Sequence, residues 1–317
     1  MNRIVLCLVW LTAAFVRAEG PAPGASTFGE RDYIEYVAGD LPLILSVPHG
    51  GRLVPDEIPD RTRGVRDSDA NTEELARAVA VAVHERTGHH AHVIISHLQR
   101  SKLDPNREIV EAAAGNPLAE RAWEEYHRFI EQARAAVVAK FGSAFFIDLH
   151  GHGHAMQRLE LGYLHSTDDL AQEEAVLNAP EFVAAGSLRL AAARWPGSYV
   201  ELLRGSVSLG ALFEAEGFRS TPSPSAPEPV VPYFRGGYTV SRHCKAEDHV
   251  TGLQIECNRI GVRDTPEHRR AFAQALVAVL EKFLPERLGL PFGPEKAPVA
   301  SAPATPAAPA VPDGAAQ

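Results

Sequence analysis

The chain has 317 residues, 45% of them hydrophobic and 22% charged, with a formal charge of −9. That is enough apolar material for one large core or two small ones. The lysines and arginines are scattered, which argues against a nucleic-acid partner, because grouped cations are needed to displace counterions from a phosphate backbone.

Taken in order, Met1-Asn-Arg3 is a short basic start, Ile4 to Phe15 is apolar, and Val16-Arg17-Ala18 fits the small-residue rule for cleavage. Residues 1–18 therefore read as an export signal. An uncleaved anchor is the other reading, but crossing about 30 Å of hydrocarbon takes roughly 20 apolar residues, more than this stretch holds. The mature chain is then expected outside the cytoplasm, periplasmic or extracellular, with no membrane attachment. Residues 19–30 are rich in Gly, Ala, Pro and Ser and read as a flexible leader. One domain, 31–288, follows without repeat or linker. The Pro/Ala-rich segment 289–317 lacks the large apolar side chains that offset ordering entropy, so it reads as a disordered tail. Cys7 leaves with the signal. Cys244 and Cys257 remain, either as a disulfide or as two buried free thiols.

Within the domain, apolar runs Leu43–Val47, Val93–Ile95, Phe145–Leu149 and Leu253–Ile255 predict buried strands, each ending in polar residues. A helix follows Asn71 or Thr72, either of which can cap it, with Glu73 and Glu74 in its first turn and Gly88 at its end. Together with the flanking strands it makes a right-handed β–α–β crossover. A second helix is predicted from Pro117 to about Lys140, with Trp123, Tyr126, Ile130, Ala133 and Val137 inward. Another strand is expected over 159–164, a short helix over 209–216 with Ser208 as its cap, and a last helix from Pro266 to Phe283. Thr221–Pro229 is a loop because proline removes donors from any ladder. Gly236-Gly237-Tyr238 marks another. Gly205–Gly210 lacks the spacing of a serine-nucleophile turn.

Open α/β sheets bind ligands at the carboxyl ends of their strands. Here those ends carry His49, Arg100, His150 and Glu256. His49, Asp69 and His150 supply two nitrogens and one carboxylate with an open fourth position, the usual ligand set of a hydrolytic zinc, one ion per chain. Asp67 competes with Asp69, which lies closer to the helix start. His152 and His154 share a face with His150 in an extended segment, so either could replace it; His150 is preferred for its place directly at the strand end, with the other two at the rim. Asp148 bonds another strand or orients a ligand histidine. Arg100, Asn106 and Arg107 share a polar loop suited to holding a carboxylate. Glu256 ends an apolar strand, where a carboxylate is costly unless paired, metal-bound or catalytic.

With these residues in place, the chain resembles the N-formylglutamate amidohydrolase family, itself similar to the zinc carboxypeptidases. The matching pieces are Val47-Pro-His-Gly-Gly51, Asp69 with Leu75, Asp104-Pro-Asn-Arg107, Ile147-Asp-Leu-His150, Gly236-Gly-Tyr238 and Gln254-Ile-Glu256. The resemblance implies a single three-layer α/β/α domain around a mostly parallel, mixed, twisted sheet of the zinc-carboxypeptidase kind. It implies zinc on His49, Asp69 and His150, Glu256 as general base, and Arg100 polarising the scissile carbonyl. Asn106 and Arg107 would take the substrate carboxylate, and Tyr238 and Arg242 would belong to a loop over the substrate. The expected substrate is a small N-acyl amino acid or short peptide with a free carboxylate. Two alternatives use the same residues: a metallocarboxypeptidase acting on peptides or cell-wall stem peptides, and a non-catalytic carboxylate- or metal-binding protein.

Overall fold

The computed structural model describes residues 20–293. The predicted signal and most of the Pro/Ala tail lie outside them. The fold is a mixed eight-stranded sheet with helices on both faces. Its strands are β1 (Ser26–Phe28), β2 (Ile34–Val37), β3 (Leu43–Val47), β4 (His92–Ser96), β5 (Ala144–His152), β6 (Leu159–Gly162), β7 (Ser220–Thr221) and β8 (Val250–Asn258), in the order β1-β2-β4-β3-β5-β8-β6-β7. The four central strands β4, β3, β5 and β8 are parallel. They are the apolar runs of the sequence, because a strand covered on both faces reads as continuous Val, Ile, Leu and Phe.

Alternation along β3 sorts the layers. Leu43, Leu45 and Val47 pack into a core with Leu75, Val79, Phe272 and Leu276 of the helices Thr72–Thr87 and Pro266–Phe283. Ile44 joins Tyr126, Phe129 and Ile130 of the helix Pro117–Phe141 on the opposite face. The connection leaving β3 thus runs over one face and the connection from β4 to β5 over the other. Such a reversal opens a crevice at the carboxyl ends of the strands.

Several boundaries depart from expectation. Residues 19–30 are not simply a leader: Ser26–Phe28 pairs antiparallel with β2. All three of its side chains are exposed, so backbone hydrogen bonds alone hold it and no apolar pattern announces it. β2 itself went unread because Glu35 interrupts it. The domain also runs past 288, since Leu290 and Phe292 are 2% and 7% exposed against the core. β5 and β8 do not stop at Leu149 and Ile255; the ladder continues through His150↔Glu256 and His152↔Asn258. Asn71 caps nothing with its side chain; Thr72 Oγ1 instead donates back to the Asp69 carbonyl at 2.8 Å. A run of short helices from Thr167 to Arg204 was not foreseen; Leu209–Ala215, with Ser208 accepting from the Ala211 N–H, was. Cys244 and Cys257 are free and buried. They belong to the cores on opposite faces of the sheet, which decides between the two readings.

A charge network stitches the edge of the sheet to the first long helix. His97 lies 3.3 Å from Glu35 of β2 and 3.5 Å from Glu73, and Arg77 bridges the same two carboxylates. Burial works to lower the His97 pKa, but the two carboxylates outweigh it and hold it at about 9. A histidine whose folded pKa lies above its unfolded value of 6.5 contributes stability that is complete below pH 6.5 and lost as pH rises through 9. His97→Gln is therefore expected to melt below wild type near pH 6, with the gap in Tm closing by about pH 10. A gap of constant size across that range would show that the charge is not the cause.

Candidate metal centre and active site

His49 lies two residues past the end of β3, where the chain turns from the strand toward the loop that ends at Asp69. The Asp69 N–H donates to the His49 carbonyl at 3.0 Å, bringing the end of that loop back to the strand. His150 sits inside the β5 ladder, one strand over. Consequently His49, Asp69 and His150 converge, with their ligand atoms within 4.8 Å of one another and all three residues buried. Asp69 Oδ2 lies 3.4 Å from His49 Nδ1 and 3.2 Å from His150 Nδ1. Asp67 stays exposed at the mouth of the crevice.

Each imidazole is anchored through its other nitrogen. His49 Nε2 is 2.6 Å from Asp104 Oδ1, and His150 Nε2 is 2.8 Å from Asp148 Oδ2. Asp148 also accepts from Ser46 Oγ of the neighbouring strand at 2.5 Å, so it fills both roles expected of it. A carboxylate on Nε2 keeps that nitrogen protonated and leaves Nδ1 as a lone-pair donor, the arrangement that orients metal-bound histidines. His49 Nδ1 is buried without any hydrogen-bond partner. An orphaned imidazole nitrogen beside a carboxylate and a second imidazole fits a divalent cation, and this donor set suits zinc.

The electrostatics agree. Asp69 is buried, which opposes its charge, yet His49 and His150 hold its carboxyl well below the usual range. Asp104 is likewise held low by His49 and Arg100 against its burial. Burial works to lower the His150 pKa, but Asp148, Asp69 and Glu256 push it far up.

Glu256 stands opposite His150 across the β5–β8 ladder and is 5% exposed. Burial, with Asp69 and Glu160 adding, raises its carboxyl to about 8. Gln254 Nε2 donates to it at 3.0 Å. Arg100 does not neutralise Glu256; its Nε pairs with Asp104 at 3.0 Å and its Nη1 lies 3.6 Å from Asp69. Asn106 Nδ2 approaches His150 Nε2 at 3.4 Å, and its Oδ1 accepts from the Thr239 N–H. Arg107 is tied on one side to the Asn106 carbonyl at 2.7 Å and approaches Glu111 at 3.4 Å. His49, Asp69, Arg100, Asn106, Arg107, His150, Gln254 and Glu256 line one cavity of about 710 Å³.

Tyr238 and Arg242 are not among the cavity lining. Tyr238 opens the helix Tyr238–His243, and Arg242 lies 5.1 Å over the Trp123 ring while donating to the Tyr238 hydroxyl. The segment that does cover the cavity is Tyr233–Gly237, where a Cβ on Gly237 would fall 2.3 Å from Asn106 Nδ2. His152 lies in the cavity lining, at the rim as expected, with His154 stacked beside it. Their rings stack at 3.7 Å beside the fully buried Glu160, which also accepts from Arg158. Asp104 belongs to the Asp104–Arg107 piece of the resemblance, but its role shows only in the tertiary contact with His49.

A scan against protein-family models finds no match, and a search of curated proteins finds none. Among solved structures, the gene product Atu2144 from Agrobacterium tumefaciens is similar at a TM-score of 0.50 and 15% identity, over 80% of this chain and 93% of that one. An N-formylglutamate amidohydrolase from Ralstonia eutropha JMP134 is similar at 0.47 and 15%, over 82% and 96%. A succinylglutamate desuccinylase from Chromobacterium violaceum is similar at 0.36 and 13%, over 83% and 74%. The Agrobacterium likeness shows a shared fold.

Proposed function

We propose that this chain is a zinc-dependent amidohydrolase that cleaves the amide of an N-acyl amino acid bearing a free carboxylate, of the N-formylglutamate kind, and that it works after export. The observation that carries the reading is the convergence of His49 Nδ1, His150 Nδ1 and Asp69 beside a buried Glu256 in one cavity. His49, Asp69 and His150 would hold a zinc ion, which when bound would supply Lewis acidity toward the scissile carbonyl and toward water. Glu256 takes a proton from the attacking water and delivers it to the leaving nitrogen. Arg100 offers its remaining N–H groups to the carbonyl oxygen as charge develops there. Asn106 and Arg107 orient the substrate carboxylate. Export rests on the basic, apolar and small-residue pattern of residues 1–18.

The size of the cavity, about 710 Å³, and the exposed Phe234 and Val65 among its lining favour one second reading: a metallocarboxypeptidase whose acyl side is a peptide. A screen of N-formyl and N-acetyl amino acids against short peptides sharing the same terminal residue separates the two.

Arg107 gives a sharper test. Lysine is a point charge and cannot make a planar two-bond contact with a carboxylate. A hydrogen bond to a charged group contributes about 1.5–3 kcal/mol, so Arg107→Lys is expected to lower kcat/KM on the acid substrate about 10–100-fold. The loss on the corresponding carboxamide should be small. Equal losses on both substrates would assign Arg107 a structural role.

A further inference from the structure

We propose that Arg263 is the positioning residue of the metal centre, one buried guanidinium that clamps the three backbone segments carrying Asp69, His150 and Glu256 and thereby sets metal affinity. The inference rests on the metal-centre reading above. Arg263 is 2% exposed and ends the turn Arg259–Arg263 that follows β8. Its Nε donates to the Cys257 carbonyl at 2.9 Å, its Nη2 to the His152 carbonyl at 2.7 Å, and its Nη1 to the Ala70 carbonyl. Cys257 follows Glu256, Ala70 follows Asp69, and His152 lies two residues beyond His150 in β5. Three segments that are far apart in sequence are thus joined through one planar group.

Two further observations distinguish a clamp from a generally stabilising residue. Among the described residues Arg263 forms no ion pair with a carboxylate; its donors go to backbone carbonyls. Its fixed fork defines where those carbonyls sit. The second observation is Gly151. A Cβ there would fall 2.2 Å from Arg263 Cζ, so the guanidinium lies flat against β5 between His150 and His152. The N–H of that same glycine donates to Asp69 Oδ2 at 3.0 Å, the oxygen that faces both imidazoles. Glycine inside the β5 ladder is therefore explained by the guanidinium packed on it. Moving either group moves Asp69.

The test is zinc affinity, measured on the full mature chain by competition with a chromophoric chelator. Lysine at 263 cannot reach three carbonyls, and Gly151→Ala displaces the guanidinium while leaving its charge in the protein. Arg263→Lys and Gly151→Ala are each expected to weaken zinc binding roughly 10–100-fold, the range typical of outer partners of a metal site. Val279→Ala serves as control. Val279 is fully buried in the helix Pro266–Phe283, thirteen residues beyond its first residue and so about 20 Å along its axis. This control should lower Tm and keep wild-type zinc affinity. The inference is overturned if both site variants bind zinc within about threefold of wild type, or if Val279→Ala loses as much affinity as they do. It is equally overturned if neither site variant folds while the control does, since Arg263 would then serve the fold alone. A wild-type chain that binds no zinc removes the metal-centre reading and this inference with it, an outcome distinct from the others.

Discussion

Glu256→Gln is expected to lower kcat by at least the roughly 10²–10⁴-fold that general acid–base catalysis contributes, with zinc content and KM close to wild type. Glutamine keeps the shape of the side chain and its contact to Gln254 but cannot accept the proton of an attacking water. The competing explanation is that Glu256 serves stability, and the linkage argument separates the two. Its carboxyl is held at about 8 in the metal-free fold, chiefly by burial, against an ordinary value of 4.5. A group whose folded pKa is raised contributes stability that is complete below its unfolded pKa and lost as pH rises through the folded one. In metal-free protein, Glu256→Gln imitates the protonated form at every pH. It should therefore melt no lower than wild type at pH 7 and higher at pH 9. A variant that melts much earlier yet turns over normally would remove Glu256 from catalysis.

His150→Ala is expected to abolish tight zinc binding and activity together. The substitution deletes one of two imidazole donors and also leaves Asp148 fully buried without the ring that it orients. The loss of affinity should exceed the roughly 10–100-fold typical of an outer partner, because a direct ligand is gone. His154→Ala removes a ring bonded to Glu160 at 3.0 Å, and His152→Ala one bonded to the Arg158 carbonyl at 2.8 Å. Both variants should retain most zinc and most activity. Metal analysis by mass spectrometry on the three purified variants decides the matter: full zinc occupancy in His150→Ala would overturn the ligand assignment.

What the amino-acid sequence determined by itself is the part of the fold governed by local and periodic signals. The four parallel strands are legible because burial on both faces demands unbroken apolar runs, and the three long helices because one face repeats at helical spacing between a start signal and a stop. The same logic singles out His49, His150 and Glu256, because a polar residue that closes an apolar run must meet a ligand, a partner or water. Edge strands β1 and β7 escaped, since a short strand held by backbone bonds with exposed or polar side chains leaves no hydrophobic trace.

Only the tertiary structure could decide how the polar residues pair. Whether Asp67 or Asp69 meets the histidines depends on how the 52–69 loop folds back, and the Asp69 N–H bond to the His49 carbonyl settles its course. Whether His150, His152 or His154 joins them depends on strand twist and on Glu160, which draws His154 to a separate cluster. Asp104 under His49 and Arg263 against Gly151 join residues 55 and 112 positions apart. Hydrogen bonds act over about 3 Å in space and carry no periodicity along the chain, so partners of this kind become visible only when the sheet has brought its strand ends together.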